Sequence, residues 1–114
     1  MILAFLAAAS ASVVTIDSSV GKDLHCLVAM SLANDLLKNE SEKHLMETAA
    51  FYFMGKIDGE APGIDFENAM ISIITSSGFK DEIKTDFSRC GAELKTLGGR
   101  MKVVGRALQE RAHQ

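Results

Sequence analysis

FKDEIKTDFSRCGAELKTLGGRMKVVGRALQERA, residues 79–112, is the stretch whose periodicity decides the fold. Ile83, Phe87, Cys90, Leu94, Leu97, Met101, Val104 and Leu108 follow one another at alternating intervals of four and three, a narrow apolar line on one side of a helix. Such a line needs apolar cover. Gly91, Gly98, Gly105 and Ala112 recur every seven residues beside it, so that flank is bare of side chains. An interior glycine costs a helix about 1 kcal/mol against alanine, so Gly91, Gly98, Gly99 and Gly105 together cost about 4 kcal/mol. Close packing of another helix on Gly91, Gly98 and Gly105 is the expected compensation. A straight helix over 80–111 would span about 48 Å, whereas a compact chain of this size has a radius of gyration of about 13 Å. The spacing therefore predicts a last helix kinked or split near Gly98-Gly99, the alternative being an end that projects into a second copy.

Working back toward the N-terminus, Cys26, Met30, Ala33 and Leu37 repeat at four, three and four, with Asn34, Asp35 and Lys38 on the other side. This predicts an amphipathic helix over 22–38, capped by Ser18 or Ser19, with Cys26 on its inner face. Asn39 and Glu42 have the reciprocal capping pattern, which starts a second helix over 40–57 whose inner line is Met46, Ala50, Phe53 and Ile57. Gly59, Pro62 and Gly63 break the chain. Asp65 then caps a short helix carrying Phe66, Ala69, Met70, Ile73 and Ile74, and Gly78 is expected as its left-handed stop. The β-branched run at Ile71, Ile73, Ile74 and Thr75 would tolerate a strand, but no second strand is there to pair with it. The expected architecture is all-α, a small four-helix domain, orthogonal or bundle-like, over 12–114.

At 114 residues the chain suits one domain with a single modest core. The formal charge of -3 and the pI near 5.5, with basic residues interleaved among acids, argue against a nucleic-acid partner. The opening MILAFLAAASA reads as the apolar region and cleavage site of a secretory signal over 1–11, cut near Ala11/Ser12. It lacks the usual early Lys or Arg, so either translation starts upstream of Met1 or the α-amino group is its positive charge. The run is too short to span a bilayer. A periplasmic or secreted location follows. In an oxidising compartment Cys26 and Cys90 have only each other, and closing a loop of that length is worth about 4 kcal/mol. The cytosolic alternative is two reduced thiols, without the C-x-x-C of a redox centre.

Residue types that carry chemistry are present but not in productive spacing. Cys26, Cys90, His25 and His44 number enough for zinc, yet the paired short-range spacing of structural zinc sites is missing, so neither metal nor cofactor is expected and the histidines are read as surface residues. His25 and Cys26 diverge by about 100° on a helix, and an oxidised cysteine offers no thiolate, so no catalytic residue is assigned. Asp58, Glu60 and Asp65 surround the Pro62 turn without the calcium-loop pattern. Phe51, Tyr52, Phe53 and Met54 cannot all face inward on one helix. A neighbouring helix is expected to cover the surplus; where it does not, Phe51, Tyr52 and Met54 form an interaction patch.

Three pieces, DLHCLVAMSLAND around Cys26, FYFMGKIDGEAPGIDFENA, and SRCGAEL around Cys90, together resemble a group of small secreted helical proteins of sphingomonad-type bacteria. The resemblance covers most of the mature chain and implies a signal peptide, a single disulfide and helices, but no activity. A looser, architectural likeness is to the HdeA-type periplasmic acid-stress chaperones, whose cysteines lie closer together. The expected function is a structural or protein-interaction role without catalysis, with an unknown protein partner or self-association. An acid-activated chaperone and a small-ligand carrier are the alternatives. Full protonation would take the charge from -3 to about +15, enough self-repulsion to loosen a marginal core.

Overall fold

The computed structural model describes residues 18–113; the expected signal segment and its cleavage site lie outside the described residues. The described residues form four helices: α1, Ser19–Leu36; α2, Glu40–Glu60; α3, Phe66–Ile74; and α4, Phe79–Ala112. There is no strand among them, and the β-branched run folds into α3.

Local chemistry explains most boundaries. The Ser18 hydroxyl accepts from Gly21 N at 2.9 Å, so α1 starts earlier than its apolar repeat. Asn39 accepts from the amides of Ser41 and Glu42, and Asp65 from that of Asn68. Gly63, at φ +80°, makes the left-handed turn ahead of α3. Gly78 corrects the expectation of a left-handed stop: at φ -94° it stands at the N-terminus of α4.

α1 is the hub. It packs most extensively on α2, across the short 37–39 connection that folds the pair into a hairpin, and also touches α3 and α4. Enclosed this way, it is buried continuously from Asp23 to Met30. Leu24, Cys26, Leu27, Ala29 and Met30 meet Ala49, Phe53 and Ile57 of α2 and Cys90 of α4 in one core. Phe66, Ala69, Met70 and Ile73 of α3 cover one side of it, and Ile83, Phe87 and Leu94 of α4 another. The Cys26–Cys90 disulfide joins the hub to α4, with the two Cα atoms 5.5 Å apart.

The expected split of α4 is corrected. α4 runs as one 34-residue helix, uninterrupted at Gly98-Gly99, and the split is not formed. Nor, among the described residues, does another helix approach its glycine flank: a Cβ added at Gly91, Gly98 or Gly105 would meet nothing of them within 4 Å. Both follow from where the core ends. α1 is too short to follow α4 beyond its first half, so from Gly98 onward every described residue is exposed. The result is an elongated molecule, 63 × 35 × 21 Å with a radius of gyration of 17.5 Å.

Candidate interaction surface

Polar groups converge on the joint where α1, α2 and α4 meet beside the disulfide. Asp86 lies four residues before Cys90 and Glu93 three after it, both one turn from the sulfur; Asp23 lies three before Cys26. His25, expected at the surface, is instead buried, with Nδ1 2.9 Å from Asp86 Oδ2. The reason is the enclosure of α1, which leaves no outward side at that level. Arg89 donates to Asp86 Oδ1 at 3.2 Å and to the Lys22 carbonyl at 3.1 Å, closing this contact against α1.

Lys56 of α2 forms the second bridge. Its Nζ donates to Asp23 Oδ1 at 3.0 Å and to Glu93 Oε2 at 2.8 Å, and Tyr52 donates its hydroxyl to the same Glu93 oxygen at 2.8 Å. Burial by itself would lower the Lys56 pKa, but the bonds to Glu93 and Asp23 outweigh it and hold the ammonium charged. Burial would raise Glu93, yet Lys56 and Tyr52 pull its carboxyl below the usual value. Burial raises Asp23, and its Oδ2 is buried without a hydrogen-bond partner among the described residues. Tyr52 is raised by burial and by the carboxylate it faces. These groups point at one another across three helices and serve to register them. No three His, Cys, Asp or Glu side chains are placed to hold a metal ion among the described residues.

The outward-facing surface is of another kind. Along the projecting half of α4, Met101, Val103, Val104 and Leu108 are 58–68% exposed, four large apolar groups on one arm. Leu97, Met101, Val104 and Leu108 form its stripe, Gly98 and Gly105 border one side, and Arg100 and Arg111 border the other by helical angle. The interleaving of charges noted for the whole chain fails here. Residues 95–112 hold five basic residues against one acid, +4, whereas residues 1–94 hold seven against fourteen, -7. Whole-chain balance concealed this polarity.

A second surface is an open groove of about 430 Å³ between α1 and α2, with one residue of α3 also lining it. Leu27, Ala50, Phe51, Met54 and Met70 line it, with Asp35 and Glu47 among its polar groups. Of the expected patch, Phe51 and Met54 come together here, Phe51 63% exposed. Tyr52 does not join them; it points to the polar joint, its ring edge-on to Phe53 at 4.9 Å.

The fold and this surface define an all-α, single-disulfide helical domain with no helix among the described residues long and apolar enough to cross a membrane. No protein-family model, curated protein or solved structure matches the chain. Its functional reading therefore rests on its own geometry. Sequence reasoning missed the polar joint, although one signal was available: Asp23, Asp86 and Glu93 each stand within one turn of a cysteine that must be buried.

Proposed function

We propose that the chain is a non-catalytic, extracytoplasmic interaction protein that presents the projecting half of α4 to a partner. The exposed stripe of Met101, Val104 and Leu108 carries this reading, because it continues the apolar line of the core beyond the point where the body can cover it. The oxidised cysteines and the resemblance to small secreted helical proteins support the compartment. The test is Met101→Glu with Leu108→Glu. The double variant should keep the thermal midpoint of the parent while losing self-association, vesicle binding and capture of unfolded clients alike. If it matches the parent in all three, the arm is not the working surface.

Acid-triggered chaperoning is a second reading, favoured by the Lys56–Glu93 pair that holds α2 to α4 and weakens once Glu93 is protonated. It ranks below the first, because the arm offers its apolar surface at neutral pH without any opening. A carrier role has less support: the groove is open to solvent along its length, whereas carried ligands are mostly enclosed.

A further inference from the structure

We propose that the arm of α4 docks into the α1–α2 groove of a second copy of this chain, and that the exchange is reciprocal, giving a two-fold dimer. This names the partner of the surface proposed above and rests on that reading. The arm is apolar along Leu97, Met101, Val104 and Leu108, with Arg100 and Arg111 on one edge. The groove is its converse, apolar at Leu27, Phe51, Met54 and Met70 and acidic at Asp35 and Glu47. An apolar centre with oppositely charged margins is the composition of a specific interface.

Charge also selects among occupants. Pairing arm with arm would oppose two segments that each hold five basic residues against one acid, whereas arm on body sets +4 against -7. An anionic lipid surface would suit a basic amphipathic helix. It would, however, leave the acidic groove unmatched and repel the body. The arm does not fill its own groove, since residues 98–113 are all exposed. Finally, the open space beside Gly98 and Gly105 admits the backbone of another helix at close range, the approach for which the glycine repeat is suited. Each copy carries both an arm and a groove, so a reciprocal exchange satisfies both surfaces and closes at two chains, where a one-way exchange would propagate as an open filament.

Sedimentation equilibrium of the oxidised chain, with a photo-crosslinking side chain at Val104, tests this. The expected result is a concentration-dependent dimer that weakens about ten-fold between about 0.1 M and about 1 M salt, where the screening length drops from about 10 to about 3 Å. Crosslinks should run from position 104 to the neighbourhood of Phe51 in the other copy. Arg100→Glu with Arg111→Glu should give a folded monomer whose thermal midpoint matches that of the parent diluted below its dimer range, as should Asp35→Arg with Glu47→Arg. Mixing these two variants makes both contacts complementary again and should restore a one-to-one dimer. A parent chain still monomeric at about 1 mM, crosslinks joining position 104 to position 104, or a mixture that stays monomeric overturns the dimer. Monomers that bind phosphatidylglycerol vesicles through the arm overturn it too, while leaving the arm as an interaction surface.

Discussion

Lys56 shows how much a single side chain can organise: one ammonium reaches Asp23 on α1 and Glu93 on α4 from its own place on α2. Its two carboxylate partners respond to pH in opposite senses. Glu93 has a depressed folded pKa, so the stability it contributes is complete above its ordinary 4.5 and is lost as pH falls through the lower folded value. Glu93→Gln should therefore be less stable than the parent at pH 7 and should show a flatter decline below pH 4.5 in denaturant titrations. Asp23 has a raised folded pKa, so the chain gains stability as pH falls through that value toward the ordinary 3.8. Asp23→Asn should remove this gain, which the same titrations would show as a flatter profile above pH 3.8. Only the nearness of Asp23, Asp86 and Glu93 to the two cysteines was legible in advance; their pairing with Lys56 and His25 was not. Polar residues beside a buried cysteine read as solvated until the enclosing helix is known, and periodicity treats Asp23 and His25 as interruptions of an apolar face.

Among the elements, α1, α2 and α3 could be read from caps and spacing because Ser18, Asn39 and Asp65 act within three residues of themselves. α4 was half legible. Its periodicity and the partner of Cys90 were apparent, but a helix's length is decided by what packs on it, and compactness argued wrongly for a break at Gly98-Gly99. With the bonded cysteines 64 positions apart in the sequence, replacing both by alanine should cost about 4 kcal/mol, measured as a shift in the denaturation midpoint. Gly99 is the contrasting case. It lies away from the apolar stripe, and an added Cβ meets nothing within 4 Å. Gly99→Ala should favour the helical arm by about 1 kcal/mol. Slower amide exchange over residues 98–112 with an unchanged global midpoint is the expected signature, because the arm contributes nothing to the core.

At the scale of the whole molecule, shape and charge are polarised along the same axis: an acidic body at one end and a basic rod at the other. X-ray scattering of the charge-reversed Arg100→Glu, Arg111→Glu variant should give a radius of gyration at or above 17.5 Å. A value near the roughly 13 Å of a compact chain of this size would mean that the rod folds back on its own body. The sulfur bridge fixes where that rod begins. With Cys90 anchored and eighteen further residues to Leu108 at 1.5 Å each, whatever grips that leucine is held about 27 Å from the anchor. The unbroken helix thus acts as a ruler, so inserting or deleting a single residue in it would both change the reach and swing the gripping face by about 100°.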